Sequence, residues 1–325
     1  MSGRPVRALA LAGSRGARFV VAVDEALSPQ PLISHAGPLS RALAWSLAAL
    51  VGAMPVAFQG RLARAVGRLV FALGIRRAVT LDNLAQAFPA LPEAERRKIA
   101  QGAYANMIRV IFESFSSNTP RAKRLAQTIP VEGWDAVARA LAAGKGALVA
   151  SGHFGSWELF GEVLARRKVP LSAVVRPLKG GLNAVLIERR VEAGIQLIPP
   201  RGAVPQSLKA LRRGDMVAML VDQVLPSKKA VFVPFFGRLA ATSPALAFAA
   251  LRSGAPVFVA TSVRDGDALR LSFEGPLEFV RQGSLGEDVT ALTAAVTARL
   301  EATIRRHPEQ WLWLHRRWKV APPTP

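Results

Sequence analysis

The chain has 325 residues, 50% of them apolar, with a mean hydropathy of +0.24 and a formal charge of +21 from 43 Lys and Arg against 22 Asp and Glu. That length can bury the core of one large α/β domain with an accessory part, and the greasy, basic composition favours membrane contact and anionic partners: phospholipid head groups, phosphorylated glycolipids, an acidic carrier protein or nucleic acid. No cysteine is present, which excludes disulfides, thiolate nucleophiles and thiolate-bound zinc; the four histidines, His35, His153, His307 and His315, have no metal-ligand spacing, so neither a metal nor a cofactor is expected.

Residues 1–38 read as a poorly ordered extension, whose apolar run at 8–12 is too short for a secretory signal. Residues 39–125 follow as a helical, membrane-associated region. Within it, residues 42–58 carry no charge and as one helix would span about 25 Å, at the lower edge of what crosses a bilayer. Gly52 and Pro55 leave a shallow interfacial helix as the competing arrangement. Arg61, Arg64, Arg68, Arg76 and Arg77 then interleave with Leu62, Val66, Leu69, Val70 and Leu73, a basic amphipathic pattern that would hold the chain on the cytoplasmic face. A packed helical hairpin would carry the same pattern. Pro92, the acids after it and apolar residues at helical spacing predict a long helix to about Ser116.

Residues 126–320 alternate in character. Strands are expected at 128–131, 147–150, 171–175, 195–198, 216–221, 231–234, 257–263 and 269–273, with helices at 134–143, 157–167, 182–193, 204–213 and 244–252 between most of them. A last helix runs from 287 to about 306. The fold class is therefore α/β, a mostly parallel central sheet flanked by helices, with ligands at the carboxyl ends of the strands.

The strand at 147–150 ends in a tight corner that holds His153 and, five residues on, Glu158. Five residues at 3.6 per turn separate two side chains by about 140°, so the pair cannot share one helix face; His153 belongs to the loop and Glu158 to the first turns of the helix. A neutral imidazole there can take the proton of a hydroxyl as its oxygen attacks a thioester, while a carboxylate on the other ring nitrogen fixes the tautomer. Arg176, Arg201, Asp222 and Gln223 fall at other expected strand ends, where a guanidinium could hold a phosphate or carboxylate and Asp222 could fix that arginine or a sugar hydroxyl. Phe235 and Phe236 could line an acyl-chain channel or belong to the core. The terminal HPEQWLWLHRRWK could grip an interface with its tryptophans and cations, or pack on the domain.

These features stand in an order that resembles the bacterial lipid A biosynthesis acyltransferases, the lauroyl/myristoyl family of the wider lysophospholipid acyltransferase group. The resemblance covers about residues 40–320 and rests on LDNLAQAFPALPEAERR at 81–97, the H-x4-E of His153 and Glu158, Arg176-Pro177, Asp222-Gln223, VFVPFFG with Thr242, and the motif at 307–319. It implies an acyltransferase at the cytoplasmic face of the inner membrane that moves a fatty acyl chain from acyl carrier protein, or coenzyme A, to a hydroxyl of a phosphorylated glycolipid. It implies His153 as general base with Glu158 as its partner, and substrate contacts from Arg176 and Asp222. The implied partners are the carrier protein, an anionic glycolipid and the membrane, with no nucleic acid; other members of the group acylate mannosylated phosphatidylinositol. Ser156 departs from the asparagine of many relatives.

Overall fold

The computed structural model describes residues 37–176, 180–266 and 268–322. The expected N-terminal extension, apart from its last two residues, lies outside them, as does Pro177. Helices α1 (Pro38–Ala53), α2 (Val56–Ala72), α3 (Arg77–Ala87), α4 (Glu93–Ser116) and α5 (Pro120–Thr128) come first. They are followed by β1 (Val131–Glu132), α6 (Trp134–Ala142), β2 (Ala147–Ser151), α7 (Trp157–Arg166), β3 (Leu171–Val174), α8 (Gly181–Ala193), β4 (Gln196–Ile198), α9 (Ala203–Arg212) and β5 (Met216–Leu220). The chain closes with β6 (Val231–Phe235), β7 (Arg238–Thr242), α10 (Ala245–Ser253), β8 (Val257–Asp265), β9 (Ala268–Glu274) and α11 (Leu285–Arg306).

Seven strands form one sheet in the order β1-β9-β8-β2-β5-β3-β4. The five from β8 to β4 are parallel, and β9 runs antiparallel to β8 at the far edge with β1 beside it. Strand β2 is covered on both sides, which is why it reads as a continuous apolar run. Its Leu148 and Ala150 pack into the layer made with α9, α10 and α11, while Ala147 and Val149 pack into the layer of α6 and α7. Alternate side chains of one strand thus feed two cores.

Several elements differ from the sequence expectation. The segment at 231–234 is not a strand of the main sheet; β6 pairs with β7 as a separate antiparallel hairpin, closed by Phe236 and Gly237 with φ of 53° and 74°. Two adjacent positive φ angles are what a two-residue hairpin turn requires. The strand expected at 128–131 shrinks to β1, because Thr119 caps and Pro120 opens an unanticipated helix that runs to Thr128. Residues 42–58 do not form one helix: α1 stops at Ala53, and Pro55, which has no N–H to donate, stands before α2. Among the described residues no helix is long and apolar enough to cross a membrane. Helix α1 buries Ala44, Ala48 and Val51 and leaves Leu39, Leu43, Leu47 and Leu50 exposed, two apolar stripes side by side on the helix.

The C-terminal tryptophans pack on the domain. Trp311 and Trp313 are buried, in one aromatic cluster with Phe235 and Phe236. Buried Arg317 donates to the Ala241 carbonyl and to Thr242 Oγ1. Phe235 and Phe236 are therefore core: the hairpin turn points them at Trp311, Trp313 and Trp318.

Candidate active site

The register of two neighbouring strands assembles the site. Ser151 of β2 stands opposite Leu220 of β5, and Val221 N donates to the Ser151 carbonyl at 2.9 Å. Two residues beyond that pair, His153 and Asp222 meet side by side. Asp222 Oδ1 accepts from His153 Nδ1 at 2.8 Å, and its Oδ2 accepts from His153 N at 2.6 Å and from Trp311 Nε1 at 2.8 Å. Burial alone would push the Asp222 carboxyl up, but the charge and hydrogen bonds of His153, with the indole N–H, hold it at about 2. A carboxylate so held accepts only, so Nδ1 is the donor of that pair and Nε2 is the ring nitrogen left for another partner. The Gln223 side-chain amide donates to that Nε2 at 3.1 Å.

Two glycines make the corner feasible. A Cβ on Gly152 would come within 3.0 Å of Asp222 Oδ2, and one on Gly155, at φ +60°, would lie 1.6 Å from the Ser262 carbonyl. Ser156 then opens α7: its N donates to Ser262 Oγ at 2.7 Å and its hydroxyl to Glu113 of α4, a carboxylate also paired with Arg264. The hydroxyl at this departure from the resembled family is thus tied directly to the scaffold helix.

Glu158 does not carry the imidazole; the carboxylate on the ring is Asp222. Glu158 faces α8, where Arg190 donates from Nε to Oε2 at 3.0 Å and from Nη2 to Oε1 at 2.5 Å, and Trp157 Nε1 adds a third bond at 3.1 Å. Burial opposes its charge, yet Arg190 above all, then Trp157 and His153, keep the Glu158 carboxyl below its ordinary range. The physical reason is placement. The first turn of α7 directs Glu158 at the guanidinium of α8, while strand pairing brings Asp222 to the ring. Glu158 reaches His153 indirectly, through the Trp157 ring that stands edge-on to the imidazole at 5.3 Å.

Between α7 and the sheet, directly below the corner, lies an apolar pocket with about 680 Å³ of atom-free space including its open mouth. Ala173 and Ala218 on the sheet and Gly161 on the helix leave this room, Trp157 and Leu220 flank the end nearest His153, and Met216 lies at the far end. Strand β5 alone spans about 13 Å from Met216 to Leu220. Arg176, Arg201, Lys228 and Lys229 are exposed at the carboxyl edge of the sheet or in the loop after β5. Among the described residues no group of three or more His, Cys, Asp or Glu is placed to hold a metal ion.

Three residues escaped the sequence reading. Arg190 sits in an unremarkable ERR run and betrays itself by no spacing. Trp311 stood in a motif noted for packing or gripping, with no sign that its N–H reaches a carboxylate. His315 accepts from Val224 N at 3.2 Å through Nε2, and burial pushes its pKa down to about 4, so it is a neutral prop of the loop after Asp222.

The family described as bacterial lipid A biosynthesis acyltransferase matches residues 34–320. The lipid A biosynthesis palmitoleoyltransferase of Escherichia coli K12 is 28% identical over 251 residues, 76% of this chain and 80% of that protein. The lauroyltransferase of the same organism is 28% identical over 279 residues, 84% and 89%. A phosphatidylinositol mannoside acyltransferase of Mycolicibacterium smegmatis is 27% identical over 300 residues, 89% and 93%. With a family match over nearly its whole length and a histidine corner of this kind at the head of the sheet, the chain belongs to the bacterial lipid A biosynthesis acyltransferases and is an acyltransferase.

Proposed function

We propose that the enzyme transfers a fatty acyl chain from a carrier thioester to a hydroxyl of an anionic glycolipid, with His153 as the general base. The observation that carries this reading is an imidazole whose Nδ1–H is committed to Asp222 and whose Nε2 meets the side-chain amide of Gln223, beside the Trp157 ring that lines an apolar pocket. The acyl tail lies in the pocket, with the thioester carbonyl beside His153. As the acceptor hydroxyl displaces the Gln223 amide, Nε2 takes its proton and the oxygen attacks the carbonyl carbon. The tetrahedral intermediate collapses to an ester and expels a thiolate, which takes the proton back from Nε2. Asp222 steadies the transient imidazolium. Glu158 serves by holding Trp157 and Arg190, which form one wall of the pocket mouth.

Acyl carrier protein is the preferred donor, because the exposed Arg176, Arg201, Lys228 and Lys229 suit an acidic protein better than a small thioester requires. The acceptor is a lipid A precursor or a mannosylated phosphatidylinositol, the two kinds of lipid that the relatives' names give. Sugar hydroxyls near a phosphate are the shared chemistry, and Arg176 and Arg201 suit the phosphate. Mass spectrometry of total lipids from cells with the wild type or the His153→Ala variant tests the whole reading. One glycolipid should gain one acyl chain with the wild type, at a rate about 10²- to 10⁴-fold lower in the variant. Equal acylation by both would remove His153 from the chemistry.

The enzyme works from the surface of the membrane. Besides the outward stripe of Leu39, Leu43, Leu47 and Leu50 on α1, Phe58 and Leu69 of α2 and Leu73 just after it are exposed, as are Arg61, Arg64 and Arg68. Exposed apolar side chains together with arginines suit the head-group boundary of an anionic bilayer. The stripe also lies near the active edge: Ser40 at the start of α1 packs on Gly181 at the start of α8, so closely that a Cβ there would be 2.1 Å from the Ser40 carbonyl. Paired Leu43→Asp and Leu47→Asp changes should cut co-sedimentation with phosphatidylglycerol vesicles at least about tenfold. Undiminished sedimentation would move the docking surface elsewhere.

A further inference from the structure

We propose that Trp311 is a positioning residue for acyl transfer, its indole N–H fixing the Asp222 carboxylate and, through it, the imidazole of His153; the inference rests on the general-base reading above. Asp222 has three donors. The imidazole takes Oδ1, and Oδ2 is shared by the backbone N of His153 and by Trp311 Nε1. The backbone bond comes from the same residue as the ring, so those two contacts alone form a hinge about which the carboxylate can tilt. The indole supplies the one fixed point from another part of the chain.

That point is firmly held. Residues 310–312 run antiparallel along the histidine corner: Gly155 N donates to the Gln310 carbonyl at 2.9 Å, Leu312 N donates to the His153 carbonyl at 3.0 Å, and Phe154 bridges to Trp311. The Trp311 ring is wedged edge-on between Trp313 at 4.5 Å and Phe235 at 5.5 Å. The C-terminal segment therefore grips the backbone of the base and the side chain of its carboxylate at once. Displacement of about 1 Å in a catalytic group can cost on the order of 10²-fold in rate, and loss of the indole N–H frees Oδ2 to turn.

A neighbouring residue provides the matched control. Trp313 is as deeply buried in the same cluster, and its Nε1 donates to the Pro308 carbonyl at 2.6 Å without touching Asp222. Trp311→Phe, Trp313→Phe and His153→Ala would be assayed with an acyl-carrier-protein thioester and the acylated lipid counted. The proposal expects kcat to fall ten- to a hundredfold in Trp311→Phe with KM for the donor within twofold, while Trp313→Phe keeps kcat within threefold. In ¹⁵N-histidine-labelled protein, the downfield Nδ1 proton of His153 should persist in Trp313→Phe and shift or broaden in Trp311→Phe. Should Trp311→Phe be recovered poorly, benzothienylalanine at 311, with sulfur in place of the N–H, keeps the shape and reads out the same loss. Equal kcat for the 311 and 313 variants, with His153→Ala inactive, would overturn the positioning role and leave His153 as base. Activity in His153→Ala would overturn both.

Discussion

Two carboxylates lie near one imidazole, Asp222 buried and Glu158 half-buried, and they differ in what closes them. Asp222, at the end of β5, gives its oxygens to the ring, the backbone of His153 and the indole of Trp311. Glu158, in the first turn of α7, is closed by the two-point clasp of Arg190 and by Trp157. Both are kept charged against the cost of burial, the first mainly by His153 and the second mainly by Arg190. A carboxylate neighbouring the histidine in sequence therefore marks where the site is, while strand pairing decides which carboxylate the ring meets.

The sharpest way to break this contrast is to neutralise each carboxylate in turn. Asp222→Asn puts an amide where a charge must support the imidazolium and turns a donor toward Nδ1–H; kcat should fall about 10³- to 10⁴-fold. Glu158→Gln should act mainly on stability, because it strands the half-buried Arg190, at a cost below about 3–5 kcal/mol, the loss on breaking a fully buried pair. Its loss of kcat should be much smaller than that of Asp222→Asn. Removing both charges, as Glu158→Gln with Arg190→Met, should recover part of the lost stability, since neither group is then left alone. Equal kcat losses in Asp222→Asn and Glu158→Gln, with the melting temperature of the latter unchanged, would place Glu158 in the reaction path and erase the distinction.

The same contrast explains what could be read from the sequence. Strand β2, α7, α4 and α11 come out within a residue or two of their expected ends, because a fully buried strand and a helix with apolar residues at regular spacing carry their causes locally. The corner with His153 was legible for the same reason, as was the placement of Asp222 and Gln223 at a strand end on the same edge of the sheet. The role of Asp222 was not legible. It depends on β5 lying next to β2 although two other strands separate them in the chain, an order that no local pattern encodes. The aromatic segments misled in a related way: Phe235, Phe236 and Trp311 have the composition of a channel or an interface, and only the turn at Phe236 and Gly237 folds them onto one another. The leucines of α1 are the reverse case, since an alanine stripe does the packing and leaves the larger side chains outside.

Helix α7 itself offers a finer version of the comparison, one turn further along. Glu162 is as deeply buried as Asp222 but has no clasp: Oε2 lies 3.6 Å from Arg166, beyond hydrogen-bond reach, and has no hydrogen-bond partner among the described residues. Burial here outweighs the Ser117 hydrogen bond and the Arg166 charge, and the carboxyl is pushed up to about 7. Unfolded, the same group ionises near 4.5. Between those values the native chain holds a proton that the unfolded chain has released, so this group makes stability fall as pH rises from 4.5 to 7 and level off above. Glu162→Gln removes the proton from the balance. The variant should melt close to the wild type near pH 4.5 and higher than it at pH 8, by the equivalent of roughly 3 kcal/mol. Melting curves at the two pH values read this directly. An equal difference at both would mean that Glu162 ionises in the fold as freely as in the unfolded chain, and that a carboxylate on this face of α7 needs no arginine to stay charged.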